Sequence, residues 1–509
     1  MTRPWRRLKC ALGCLAFALC HLTAQGAQLE RGPYLQMGTP TSVIIRWRTD
    51  VNTDSRVRYG TDVNNLNRNV IDTIQTTEHE VAVGGLQPNT KYYYSIGGNT
   101  QTFGIGPDFF FVTSPSGRKP TRLWVLGDPG TQDFAQEAVR DSYYALARDR
   151  HTDLWLMLGD NAYGSGTDSQ YQRGVFNMYP EMLRTSVLWP TIGNHDTYSF
   201  DPNGEYPYLN IFSLPTAGQA GGTPSGTEKY YSFNYGNIHF VVLDSMSSDR
   251  SSNGLMCAWL TADLAENTNQ WLLAYWHHPP YTKGSHDSDD PFGFDFELVE
   301  MRENVLPILE SFGVDLVLSG HSHSYERSFL LHGHYGFSWE FDSETMVLNN
   351  GSGRESETGG YQKGQEHGPG TVYVVAGSSG QTSGGELNHP AMFISLNQLG
   401  SLILDIDGPR LEARFLAANG AITDHFTMFK PGAPRPLRIT SFDVTAGVLT
   451  VRWTAEEGKT YYVERTKALE SPEWEVISPG IPASGPTASW STLIEPDAFL
   501  FYRVADFSN

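Results

Sequence analysis

The central part of the chain repeats one pattern: a short run of apolar, mostly β-forming residues that stops abruptly at a polar loop. It occurs at LWVLGDPG, DLWLMLGDNAY, WPTIGNHD, WLLAYWHHP and VDLVLSGHSH. Runs of this length and composition predict the buried strands of a largely parallel sheet. Amphipathic stretches between them, FAQEAVRDSYYALARD and FELVEMRENVLPILESFG, predict helices. Sheets of this kind bind ligands beyond the carboxyl ends of their strands. The loops at those ends would bring together Asp128, Asp160, Tyr163, Asn194, His277, His321 and His323.

The flanking segments follow a different period. From Gln28 to about Pro115, SVIIRWRTD, SRVRYG, HEVAVGGL, TKYYYSIGG and DFFFVTS alternate or run apolar between turn residues. That spacing predicts a β-sandwich of fibronectin type III kind. The stretch Ser-Pro-Ser-Gly-Arg-Lys-Pro at 114–120 and the run Pro-Gly-Ala-Pro-Arg-Pro at 431–436 read as linkers. Beyond the second, LRITSFDVTAGVLTVRWTA, KTYYVERTK, WEVIS and FLFYRVADF predict another small β-sandwich. The expected division is a leader over 1–27, a sandwich over 28–116, an α/β domain over 120–430 and a C-terminal sandwich over 437–509. A chain of 509 residues accommodates three domains of about 150 residues each.

The first 27 residues are basic, then apolar, then small, which is the pattern of a secretory signal peptide cleaved near Gly26 or Ala27. The apolar part is too short to span a bilayer, so no stable membrane anchor is expected. The mature protein is expected outside the cytoplasm, periplasmic or extracellular. Arg6-Arg7 leaves the general and the twin-arginine export routes both open. Cys10, Cys14 and Cys20 all lie in the leader, so no intrachain disulfide is expected. Cys257, within GLMCAWL, reads as a core residue rather than a nucleophile. A formal charge of −20 disfavours nucleic acid and anionic membranes as partners. A small phosphate ester is a compatible partner only if a strong local positive centre offsets that field.

The strand-end residues can supply such a centre. Carboxylate, imidazole, one Asn amide oxygen and a phenol, with no thiolate, suit iron, zinc or manganese rather than a structural zinc cage. Seven donors exceed what one ion with open positions uses, and suit two ions sharing a carboxylate. A phenol titrates near 10, so a phenolate ligand at neutral or acid pH asks for a strong Lewis acid such as ferric iron. The chain has neither a G-x-S-x-G elbow nor a P-loop.

GDPG, GDNAY, GNHD, His277-His278-Pro279 and GHSHSYERS resemble, in order, the motifs of the purple acid phosphatases of the metallophosphoesterase superfamily. RGPYLQ is similar to the start of the N-terminal domain of their larger members, so the likeness covers roughly residues 30 to 425. GDNAY is its discriminating piece. The resemblance implies a central domain of two mixed sheets flanked by helices. It implies a dinuclear centre in which Asp128, Tyr163 and His323 hold Fe(III), while Asn194, His277 and His321 hold a divalent Fe, Zn or Mn, and Asp160 bridges the two. His195 would contact phosphate and protonate the leaving group, and His286 falls where a second such histidine is expected. Asp196 stands where the family more often has Glu, which is expected to affect only the orientation of His195. Glu326 and Arg327 are expected either to orient His323 or to cap the following strand, and His278 to lie behind the ligands or at the rim.

The implied activity is hydrolysis of phosphomonoesters by a metal-bound hydroxide, with an acidic optimum. The alternatives are a phosphodiesterase or nucleotidase on the same core and, from a different class, a secreted binding or adhesion protein that has lost catalysis. Segments 197–228 and 330–370, which would form the rim of the site, carry no readable motif.

Overall fold

The computed structural model describes residues 26–506, apart from 149, 291–294, 366, 432–436, 438, 456–457, 469–471, 486 and 495–499. The expected signal peptide with its three cysteines, and most of the second expected linker, lie outside the described residues. In the N-terminal region the long strand Ser42–Gly60 pairs with Leu29–Gln36 through its first half and with Lys91–Gly97 through its last. Arg68–Gly84 runs antiparallel beside both halves, with register breaks between Arg48 and Ser55. Breaks of this kind bend a strand. The six strands thus share one hydrogen-bonded sheet that folds on itself around Tyr34, Trp47, Val83 and Tyr94.

The central region holds two seven-stranded sheets. In one, Thr121–Leu126, Leu154–Met157 and Val187–Pro190 are parallel neighbours. Gly400–Asp407, Arg410–Ala417 and Ile422–Phe429 extend it antiparallel. In the other, Ile238–Val242, Trp271–Tyr275, Leu316–Ser319 and Val372–Ala376 are parallel. The inner faces of the two sheets meet through stacked pairs, Trp189 on Phe233 at 3.9 Å and Tyr325 on Phe415 at 4.0 Å. Burial on both faces explains why these strands read as continuous apolar runs.

Helices cover the outside. Phe134–Ala147 is capped by the Asp133 side chain, which accepts from the backbone N–H groups of Ala135 and Gln136, and its Tyr143 stacks on Trp124 at 4.2 Å. The second expected helix forms in three pieces, Phe296–Glu300, a π turn over Met301–Val305, and Leu306–Ser311. Pro307 sits at the junction, and its missing N–H removes one helical bond there. Cys257 is buried on the helix Leu255–Glu266. At the C-terminus, Val448–Thr454 pairs with Ile439–Thr445 and Thr487–Leu493, while Thr460–Thr466 anchors a second sheet. The two enclose Val451, Trp453, Tyr461 and Val463. Among the described residues, no helix is long and apolar enough to cross a membrane.

The N-terminal sheet grips the central region through charged groups. Arg31 and Arg48 converge on Asp168 at 2.6–2.9 Å, and Arg31 also donates to Gln172 at 2.8 Å while lying over the Phe176 ring. Burial works to raise the Asp168 carboxyl, but Arg48 and Arg31 outweigh it and hold it below its ordinary range. Tyr34 and Arg46 both donate to the carbonyl of Ile211. The Arg31 side chain is fully covered, whereas Asp168 is 44% exposed. Arg31→Ala is therefore expected to cost about 2 kcal/mol, below the value for a fully buried pair. Urea denaturation followed by tryptophan fluorescence measures it, and an unchanged midpoint would show that the clasp carries no stability.

Candidate metal centre

The site lies where the two sheets meet. Asp128, Asp160 and Asn194 follow the strands Thr121–Leu126, Leu154–Met157 and Val187–Pro190 of one sheet; His277 and His321 follow Trp271–Tyr275 and Leu316–Ser319 of the other. Asp128, Asp160 and His321 have left-handed backbone, with φ of 55°, 51° and 65°. Residues with a Cβ enter that region at a cost of about 1–3 kcal/mol, and do so mainly at functional sites. A glycine precedes four of the donors. A methyl group on Gly193 would collide with the Asp160 backbone and carboxylate, one on Gly320 with the Asp128 carboxylate, and one on Gly159 with the His277 ring. At these three positions the loop passes so close to a neighbour's ligand that no side chain fits, and at Gly127 the obstacle is the Ala376 carbonyl.

The donor atoms gather in two triangles. In the first, the Tyr163 hydroxyl is 3.1 Å from Asp128 Oδ1 and 3.1 Å from His323 Nε2, which is 3.6 Å from Asp128 Oδ1. In the second, Asn194 Oδ1 is 3.0 Å from His277 Nε2 and 3.2 Å from His321 Nδ1, and these two nitrogens are 3.2 Å apart. Asp160 Oδ1 is 3.4 Å from His277 Nε2, and its carboxylate also interacts with Tyr163 of the first triangle.

A hydrogen bond at the far side of the His277 ring fixes which of its nitrogens carries a lone pair. His277 donates through Nδ1 to the Leu158 carbonyl at 2.9 Å, which leaves Nε2 bare toward the triangle. Asn194 donates its Nδ2 to the Tyr198 hydroxyl at 3.0 Å, which turns Oδ1 inward. Two lone pairs therefore face each other at 3.0 Å with no proton between them. Asp128 and Asp160 are nearly fully buried, and among the described residues neither has a Lys or Arg ion-pair partner. Burial, and then the charge of Asp160, raise Asp128 well above the carboxylate range. Burial, followed by Asp128 and Asp160, pushes the Tyr163 phenol well above its usual value. Burial also lowers His277 to about 3 and His321 and His323 to about 4, so these rings are neutral at physiological pH. Buried carboxylates, neutral imidazoles and an unionised phenol are a set that lacks its positive charge. Three N/O atoms about 3.1 Å apart also leave room for one ion at about 2.1 Å from each. The residues fit a pair of metal ions.

His195 lies beside the first triangle. Its Nδ1–H donates to the Gly164 carbonyl at 2.7 Å, its backbone N–H donates to Asp160 Oδ1 at 2.9 Å, and its ring is 4.4 Å from Tyr163 and 5.1 Å from Tyr198. Its Nε2 remains available, 3.9 Å from Asp160 Oδ2. His286 stands over His321 with ring centres 3.8 Å apart. His278 is buried behind the ligands, bonded to Ser245, with its ring 4.3 Å from His321.

Three expectations need correction. Asp196 does not touch the His195 side chain: it is buried, and it accepts from the backbone N–H groups of Asn161 and Gly193 and from the Tyr171 hydroxyl. A carboxylate this short reaches its own loop and the neighbouring one, so it ties the GDNAY and GNHD loops together. Burial, then Asp160, pushes it up to about 7. Glu326 and Arg327 neither orient His323 nor cap a strand, because both lie within the strand Tyr325–Ser328. Glu326 accepts from Thr282 and Ser324, and Arg327 makes a fully buried pair with Asp424.

Several residues escape the motifs. Asp295 accepts from His286 Nδ1 at 2.6 Å and lies 3.5 Å from His321 Nε2. Bonds to His286 and His321 hold its carboxyl well below the usual range. Gln381 and Ser383 bond the two nitrogens of His323. None follows an apolar run at a fixed distance; the one available signal is an Asp directly before the helix start FELVE.

Residues 121–325 match the family model of the calcineurin-like phosphoesterases, and residues 31–113 match that of the purple acid phosphatase N-terminal domain. Purple acid phosphatases 21 and 22 of Arabidopsis thaliana are 31% and 30% identical over 257 and 254 residues, each match taking in 49% of this chain and 53% of the relative. The chain spans about half the length of these curated relatives. In fold it is similar to the purple acid phosphatase from yellow lupin (Lupinus luteus) seeds, with a TM-score of 0.60 and 17% identity over 82% of this chain and 78% of that one. The two domain models fall in order on one sequence, the calcineurin-like phosphoesterase model over the strands that carry the two triangles, and the chain is similar in sequence to the purple acid phosphatases.

Proposed function

We propose that the chain is an exported acid phosphatase that hydrolyses phosphomonoesters at a dinuclear Fe(III)–M(II) centre, M being Fe, Zn or Mn. The observation that carries this reading is the pair of donor triangles, which have Asp160 in contact with both and His195 beside them. Asp128, Tyr163 and His323 would hold the ferric ion, Asn194, His277 and His321 the divalent one, and Asp160 would serve both. When bound, such ions withdraw charge from phosphate oxygens and make water a nucleophile at acid or neutral pH. Export rests on the basic and apolar pattern of residues 1–27.

The chain's own groups do the rest. His195 is held by Gly164 at Nδ1, so a proton carried on Nε2 can be given to the departing alkoxide. Asp295 fixes His286 in the same way, with Nδ1–H turned to the carboxylate and Nε2 left for a phosphate oxygen. The ligand imidazoles are neutral before any ion arrives and give up no proton to it. Tyr163, whose phenol burial keeps protonated, would give one up on becoming a ligand.

Purified protein is expected to release p-nitrophenol from the aryl monoester at least ten times faster than from the bis-aryl diester, a limit set at about 1.4 kcal/mol of discrimination. The reverse preference would favour a diesterase, and the absence of hydrolysis together with the absence of bound metal would favour a binding protein. Tyr163→Phe is expected to retain two metals while losing the visible phenolate band. Because the phenol is protonated before it ligates an ion, it would lose that proton on binding at neutral pH, and binding is expected to weaken as pH falls. The Phe variant should release about one proton fewer per site in a weakly buffered titration. An equal release from both proteins would show that Tyr163 is no ligand. His195→Ala is expected to lower kcat about a hundredfold, more for alkyl than for aryl esters because poor leaving groups need the proton more. A uniform loss across leaving groups would count against the acid role.

A further inference from the structure

His195 stands between two tyrosines. Tyr163 closes its inner side, and Tyr198 lies on its outer side with ring centres 5.1 Å apart. Tyr198 is 55% exposed, although its hydroxyl is anchored by the Asn194 amide. An exposed aromatic ring held at its polar end has lost rotamer freedom while keeping a bare face, which is the property of a preformed stacking surface. Its place in the path of the reaction is decisive. The oxygen that leaves phosphorus is the atom His195 Nε2 would protonate, so the carbon skeleton attached to that oxygen must extend past His195 on its solvent side. Tyr198 is the exposed ring beside His195.

We infer that Tyr198 is the specificity residue for the leaving group, and that the site takes phosphomonoesters whose alcohol part is a planar aromatic ring. This rests on the phosphomonoesterase reading and narrows it. Tyr198 stacks on the leaving aryl group without contacting phosphorus or any proton in flight. Phe200, 63% exposed two residues further along the same segment, offers a second apolar surface on that loop.

The test compares phenyl phosphate with glycerol 2-phosphate on the full chain, for the wild type, Tyr198→Ala and Tyr198→Phe. The ratio of kcat/KM for the aryl over the alkyl ester is read within each protein, so differences in folding, metal content and intrinsic ester reactivity cancel. Tyr198→Ala is expected to lower that ratio about five- to tenfold, mainly through KM for phenyl phosphate. Tyr198→Phe keeps the ring and loses the bond to Asn194, and is expected to retain the wild-type ratio. An unchanged ratio in Tyr198→Ala overturns the inference while leaving phosphomonoesterase activity standing. A ratio lost equally in both variants also overturns it, because the hydroxyl's hold on Asn194 would then be the cause. If the wild-type protein hydrolyses neither ester, the parent reading fails and this one falls with it.

Discussion

Lone pairs aimed at one another without a proton between them set the terms for the whole central domain. His277 Nε2 and Asn194 Oδ1 face each other at 3.0 Å, His321 Nδ1 lies 3.2 Å from both, and among the described residues the two carboxylates buried beside them have no Lys or Arg ion-pair partner. No folded protein keeps such an arrangement at low cost unless a cation completes it. The supporting structure serves this convergence. The Leu158 carbonyl selects the His277 tautomer, three strand ends turn into left-handed backbone, and Asp196 fastens two of the loops. The sandwich of parallel strands provides rigidity for geometry that would otherwise relax.

The parts legible in the sequence are those that depend on residue type and local position. Buried parallel strands read as unbroken apolar runs, and the donor at the end of each run needs no long-range information to be noticed. The fibronectin-like region announced itself by short strands and turn residues in the same local way. What escaped was set by contacts through space. Asp295 reaches His286 and His321 from a position no motif marks, and Gln381 and Ser383 approach His323 from about sixty residues away in sequence. Asp196 was visible, but its partners were not, so it was assigned to the neighbouring histidine when it belongs to the loop opposite. Pro307 was likewise visible within an amphipathic stretch, and its effect, a π turn in place of a continuous helix, appears only in the hydrogen-bond ladder.

The N-terminal sheet is more than an appended module. Asp168, which Arg31 and Arg48 hold, lies five residues beyond Tyr163 and begins the helical turn that continues to Tyr171, the residue bonded to Asp196. Ion pairs, one helical turn and a buried hydrogen bond thus connect the sandwich to the loop carrying the phenol and the His195 anchor, Gly164.

The glycines before the ligands divide the pocket into two kinds of information. Exchanging a donor side chain, Asp for Asn or His for Asp, changes the charge and hardness offered to an ion without wedging a new atom between the loops. Adding even one methyl group at Gly193 or Gly320 forces the loops apart and removes the cavity in which any ion would sit. Metal preference in this protein is thus open to gradual retuning by single substitutions, while the ability to hold two ions at all is inherited as a whole or lost.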